Sequence, residues 1–191
     1  WIVSNGTCSS STADITLTNN VTPSTANAGS NIVQCNNSNF TLAATAPTVG
    51  TGMWTVISGT ATITNANLTN TAVTGVPAGT TVTLRWTVSN GTCTSTTSDI
   101  TLTNNPVPST ANAGANQTNC NNDTFTLSAV TPGIGAGVWS LISGTATISN
   151  INLTNTIVTG IVAGSNATLR WTVSASGCTS NSADIVLSNQ N

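Results

Sequence analysis

The chain has 191 residues, of which 3% are charged, with a formal net charge of −2 and no His, Lys, Glu or Tyr. The side chains most used as general acids and bases are therefore nearly absent, and no basic surface exists to attract nucleic acid. No run of 18 apolar residues is available to cross a bilayer, and β-branched residues abound where good helix formers are scarce, so the chain is predicted to be all-β.

The first element met is the segment WIVSNGTCSSSTADITLTNN, opening at Trp1. It returns at Trp86 as WTVSNGTCTSTTSDITLTNN and at Trp171 as WTVSASGCTSNSADIVLSNQN, each time shifted by 85 (86 minus 1, 171 minus 86). The same shift carries Pro23 to Pro108, Cys35 to Cys120, Phe40 to Phe125, Trp54 to Trp139 and Arg85 to Arg170. A period of that length, free of insertions, marks one small domain used repeatedly. The expected organisation is the C-terminal strands of an incomplete repeat (1–20), a whole repeat (21–105) and a second whole repeat (106–191). Because the chain opens in mid-repeat, it is expected to be an excerpt of a longer array. The joints NNVTPSTANAG and NNPVPSTANAG, with their prolines and no strand alternation, read as short stiff linkers.

Within the first whole repeat, period-2 alternation predicts seven strands, near 31–35, 40–45, 53–58, 61–64, 71–74, 81–90 and 94–104. Gly50, Gly52, Gly59, Gly75, Gly79, Gly91, Asn65 and Asn67 punctuate them. The predicted inward positions are Phe40, Leu42, Trp54, Val56, Leu84, Trp86, Val88, Ile100 and Leu102. Seven short strands with such a set predict tandem immunoglobulin-like β-sandwich repeats with this period of 85. A core of this size gains from a staple.

Five cysteines occupy two repeat positions: Cys8, Cys93 and Cys178 at one, Cys35 and Cys120 at the other. Two pairings fit the spacing. Within a repeat, Cys35 would bond Cys93 and Cys120 would bond Cys178, each 58 apart, leaving the partner of Cys8 outside the chain. Across the joint, Cys8 would bond Cys35 and Cys93 would bond Cys120, each 27 apart. The first is favoured because small exported domains staple their own cores. Either implies an oxidising, extracytoplasmic compartment. A catalytic or zinc-binding role lacks the necessary neighbours, since there is no His and no CxxC.

Each whole repeat carries one Arg and one recurring Asp: Arg85 with Asp99, and Arg170 with Asp184. The last two strands form a hairpin turning near Thr92. In that register Leu84 faces Ile100 and Arg85 faces Asp99 on the outer side, which predicts structural ion pairs. One recurring carboxylate per repeat assembles neither a calcium cage nor a glycosidase pair, and no cofactor or metal is expected. Trp54, Trp86, Trp139 and Trp171 alternate in phase with apolar neighbours and read as core. The competing reading, a sugar-stacking platform, needs them exposed.

The pattern PSTANAG-N…C, GTGMWTVISGTATITN, VTG-AGT-TLRWTVSNGTCT, SDITLTN resembles the Ig-like or PKD-like tandem repeats of large cell-surface adhesins of gliding Bacteroidetes, of the SprB type. The resemblance covers all 191 residues. It implies export by a type IX route, display on the outer surface, and a role in adhesion, gliding or an extracellular filament, with no catalytic residues. The expected function is the non-catalytic stalk of a very long adhesin; the alternative is a subunit of an extracellular filament or sheath. Expected partners are neighbouring repeats of the same chain, copies of itself in a filament, and a surface or polysaccharide ligand held by other regions. Neither nucleic acid nor membrane insertion is expected.

Overall fold

The strongest alternation in the sequence, Val82, Leu84, Trp86 and Val88 answered by Ile100 and Leu102, becomes the longest hairpin of the repeat. A computed structural model describes residues 1–191. The first whole repeat holds seven strands: β3 (Ile32–Cys35), β4 (Phe40–Thr41), β5 (Thr51–Ser58), β6 (Thr62–Ile63), β7 (Ala72–Thr74), β8 (Thr80–Ser89) and β9 (Thr96–Asn105). They follow a short hairpin of β1 (Ile2–Val3) and β2 (Ser11–Thr12). The second whole repeat reproduces the seven at a shift of 85: β10 (Gln117–Cys120), β11 (Phe125–Thr126), β12 (Ala136–Ser143), β13 (Thr147–Ile148), β14 (Ile157–Thr159), β15 (Ser165–Ser174) and β16 (Asn181–Gln190).

In each unit a four-stranded sheet, ordered β3-β9-β8-β5 or β10-β16-β15-β12, accompanies a three-stranded one, β4-β7-β6 or β11-β14-β13. The entering strand runs parallel to the last: β3 lies along β9 with Ile32 opposite Leu102 and Cys35 opposite Asn105. β10 lies along β16 in the same way, and the remaining pairings are antiparallel. The first core gathers Phe40, Leu42, Trp54, Val73, Val76, Val82, Leu84, Trp86, Val88, Ile100 and Leu102; the second gathers their equivalents around Trp139 and Trp171. Burying such side chains is what two apolar sheet faces gain by stacking.

Three sequence expectations change here. Val56 is 38% exposed rather than inward, because β5 is an edge strand whose register shifts between Val56 and Ser58, bending the strand end off the core. Gly52 is not punctuation but lies within β5. An added Cβ there would meet Trp86 Cζ2 at 1.9 Å, and Gly137 stands in the same relation to Trp171. Finally, most of the PSTANAG stretch is packed rather than a linker. Ala28 is buried, its N–H donates to Ser98 Oγ (3.1 Å), and the N–H of Ala26 donates to Thr96 Oγ1 (2.9 Å), which in turn donates to Ser24 O (2.8 Å). Hydroxyls of β9 thus satisfy a backbone that makes no ladder of its own. Only the few residues around Val21 and Pro106 are left to join one unit to the next.

Candidate functional site at the joint between repeats

Each sandwich has two poles, and the parallel entry of β3 decides what stands at each. The hairpin turn between β8 and β9 marks one pole, and the ends of β3 and β9 mark the other. At the second pole the buried side chain of Asn104 donates from Nδ2 to Val76 O (2.9 Å) and accepts at Oδ1 from Asn37 N (3.0 Å). Asn36, at a positive φ of 46°, donates its N–H to Asn105 O at 2.8 Å. Asn189 and Asn121 repeat both arrangements in the second unit. These asparagines hold the exit of β3, and with it Cys35, in one place. The recurrent Asn after the apolar run, in TLTNN and VLSNQ, was the available sequence signal for them.

Against this pole sits the β15–β16 turn of the next unit. Asn105 Nδ2 donates to Ser176 O. Gly177 has φ +72°, and a Cβ on it would come within 2.9 Å of Val33 Cγ1 and 3.0 Å of Asn105 Nδ2, so the turn rests closely on the preceding sandwich. One residue further on, Cys178 is bonded to Cys35, with Cα atoms 4.9 Å apart and a sequence separation of 143.

This bond corrects both sequence-derived pairings. Cys35 lies beside Asn105 at the end of β9, whereas Cys93 precedes the start of β9 at Thr96. A strand of this length rises about 33 Å, so Cys35 and Cys93 stand at opposite poles of one sandwich, far beyond the ~4–7 Å Cα separation a disulfide spans. The same separation divides Cys120 from Cys178. Bonding Cys93 to Cys120 would have to cross two sandwiches. What faces Cys35 is the turn of the following unit, and the staple therefore joins two repeats instead of closing one core.

The remaining thiols keep the same positions. Cys93 Sγ lies 3.5 Å from Asn20 O and 3.6 Å from Val21 O; Cys178 Sγ lies 3.8 Å from Asn105 O and 3.2 Å from Pro106 O. Asn90 Nδ2 also donates to Val21 O (2.7 Å), and Gly91 stands against Asn20 as Gly177 stands against Asn105. Cys120 ends β10 opposite Gln190 as Cys35 ends β3 opposite Asn105. Cys8 lies in the exposed turn of the first hairpin.

Away from the joint, Arg85 faces Asp99 across the hairpin and donates through Nε to Oδ1 (2.7 Å) and through Nη2 to Oδ2 (2.8 Å); Arg170 and Asp184 match them. This fork holds the Asp99 and Asp184 carboxyls below their usual pKa and raises the arginines further. Each pair sits partly exposed on the outer face, bridging β8 to β9 or β15 to β16. Trp54 packs on Trp86 with ring centroids 5.1 Å apart and planes at 47°, as Trp139 does on Trp171. All four are at most 2% exposed, which removes them as a sugar-stacking surface. The groove beside Gly52, lined by Ala46, Pro47, Asn67, Leu68 and Trp86, carries no titratable side chain.

No family model matches this sequence, nor does any curated protein. Solved structures do resemble it. Murine CEACAM1b aligns with a TM-score of 0.56 at 16% identity, over 87% of this chain and 99% of that one. Immunoglobulin domains 1–5 of Sidekick-1 align with a TM-score of 0.62 at 11% identity, over 91% of this chain and 40% of that one. Domains 1–4 of the same protein give 0.56 at 12% identity, over 90% and 48%. The chain spans about half the length of several structures it matches. At these identities the likeness establishes the fold, an immunoglobulin-like β-sandwich.

Proposed function

We propose that this chain is a non-catalytic run of repeats from a very long, exported cell-surface protein, in which it forms the stalk of an adhesin. The observation that carries this reading is the Cys35–Cys178 bond, which fastens the tail of one sandwich to the head of the next. A staple placed there serves the geometry of the array, which is what a stalk has to maintain. A disulfide also fits an extracytoplasmic location, and the sequence resemblance to gliding-adhesin repeats supports display on the outer surface. The proposed partners are the adjoining repeats, with any surface or polysaccharide ligand bound by other regions. Denaturing, reducing mass measurement on the native polypeptide, coupled with surface labelling of intact source cells, tests the proposal. A chain many times longer than 191 residues, labelled from outside, is the expected result. A native chain of about this length, or one protected inside the cell, overturns it.

A second reading, the extracellular filament or sheath, is favoured by one feature of the outer surface. The edge strand β5 and its neighbourhood expose Met53, Val56, Ile57 and Leu68, and β12 repeats the pattern with Val138, Leu141, Ile142 and Leu153. With so little charge to repel a neighbour, such rows invite lateral pairing of chains. Sedimentation of the native array separates the two: a stalk remains a single thin species, whereas a sheath gives bundles that grow with concentration.

A further inference from the structure

We propose that the Cys35–Cys178 bond is one rung of a disulfide ladder that staples every repeat to the next and makes the array nearly inextensible. The inference rests on the long-array reading above. Its structural ground is the equivalence of the cysteines. Cys93 is poised over Asn20 and Val21 as Cys178 is over Asn105 and Pro106, and Cys120 ends β10 as Cys35 ends β3. Shifting the observed bond, with its sequence separation of 143, by one repeat gives Cys93 and Cys120 a partner, and a second shift upstream gives one to Cys8. Cys93 takes a β3-end cysteine that far upstream, and Cys120 takes a turn cysteine equally far downstream. The partner of each is thus a further repeat of the same polypeptide. Each bond forms when two thiols surrender two protons and two electrons to a disulfide-bearing oxidoreductase of the export route, whose own disulfide becomes a dithiol.

The mechanical consequence follows from the spacing. Closed loops spanning 143 recur every 85, so each loop overlaps the next by 58 (143 minus 85). No part of an interior repeat lies outside a loop. From a turn cysteine the chain runs only the distance from Cys93 to Cys120 to reach the next β3-end cysteine, and then crosses a rung. One rung and one such segment advance the array by two repeats. Fully drawn out, that segment reaches about 95 Å, whereas two unstapled repeats reach about 600 Å. Two folded sandwiches, each built on strands of about 33 Å, already occupy most of the shorter length. Tension would therefore pass along rungs and short segments, and unfolding a sandwich would release little extra length.

Cleavage at Arg and Asp provides the first test, because it puts the five cysteines on five separate peptides: 1–13, 14–85, 86–98, 99–122 and 171–183. With free thiols blocked beforehand, this chain is expected to give 14–85 linked to 171–183, and the native array to link every turn peptide to the β3-end peptide of the repeat before it. A link between 14–85 and 86–98, or between 86–98 and 99–122 of one chain, overturns the ladder. The second test pulls the chain by its ends. Oxidised, only residues 1–35 and 178–191 can extend, to about 165 Å; reduced, the full chain reaches about 665 Å. An oxidised chain that extends as far as the reduced one overturns the mechanical claim. A native polypeptide no longer than this chain would defeat the stalk reading while leaving the 14–85 to 171–183 link in place, so the two failures are distinguishable.

Discussion

Residues 1–20 and 86–105 differ at only four of twenty positions (Ile2 against Thr87, Ser9 against Thr94, Ser11 against Thr96, Ala13 against Ser98), yet they form different structures. The second segment carries the last four residues of the ten-residue β8 and the whole of the ten-residue β9; in the first, β1 and β2 pair two residues each. Trp1 is 87% exposed against 1% for Trp86, and Leu17 is 86% exposed against 0% for Leu102. The local sequence is almost constant, so the difference comes from what surrounds it. Residues 21–85 supply the first six residues of β8, β5 beside the hairpin and the facing sheet of β4, β7 and β6. Strand formation here is a property of the packed pair of sheets far more than of the hairpin sequence, as expected for elements whose propensity reflects burial.

Removing the contact that separates the two segments gives the largest expected effect. Trp86→Ala should destabilise the first whole repeat by about 3–5 kcal/mol, since it empties the site against Trp54, while Trp1→Ala should stay within about 0.5 kcal/mol. Equilibrium denaturant unfolding of the two variants measures both, and a similar cost at each position would refute the account. Next comes Gly52→Ala. It leaves the hairpin sequence intact and instead pushes the Trp86 ring out of place, at an expected cost of about 1–3 kcal/mol from overpacking. Indole fluorescence and thermal melting would report it, and Gly137→Ala should reproduce the result in the second unit.

The comparison sharpens in the opposite direction if the first segment is given equivalent surroundings. A copy of residues 21–85 fused directly before Trp1 should convert the β1–β2 hairpin into strands like β8 and β9. Trp1 would then leave water, seen as a blue shift of its emission, and amides of residues 12–18 would gain hydrogen-exchange protection. Unchanged emission and exchange would mean that the four substitutions, rather than the facing sheet, set the difference.

These contrasts also explain what the sequence revealed and what it withheld. The repeat period, the seven strands and the hairpin register are local properties. Side-chain alternation and a short turn fix which residues face each other, so Arg85 opposite Asp99 follows from the position of the turn alone. Gly52 is not recognisable from sequence, because a glycine inside a strand looks like a glycine between two strands; only the approach of the Trp86 ring distinguishes them. The packing of the PSTANAG stretch is not legible locally, because its hydrogen-bond partners are the hydroxyls of Thr96 and Ser98, at a sequence separation of 70. The disulfide is hidden for a deeper reason. Cysteine spacing counts residues but says nothing about poles, and the decisive fact, that β3 runs parallel to β9 and carries Cys35 away from Cys93, is one of topology.

The smallest expected effect concerns the outer face, where the hairpins of the whole repeats carry an Arg–Asp fork and the first segment carries Asp14 at the equivalent position. Arg85 and Arg170 hold the Asp99 and Asp184 carboxyls below their usual pKa, chiefly through the side-chain hydrogen bonds. A group whose folded pKa is depressed adds stability above its unfolded value, near about 4, and that contribution fades as pH falls through the folded value. The arginines stay charged across this range. Melting temperature should therefore decline as the solution is taken below about pH 4, and only modestly, because the pairs are solvent-exposed and screened. Asp99→Asn combined with Asp184→Asn should flatten that decline while leaving stability near neutral pH slightly reduced. If the double variant loses stability in acid as steeply as the parent, the forks do not cause the decline, and register in β8–β9 is held by the apolar face alone.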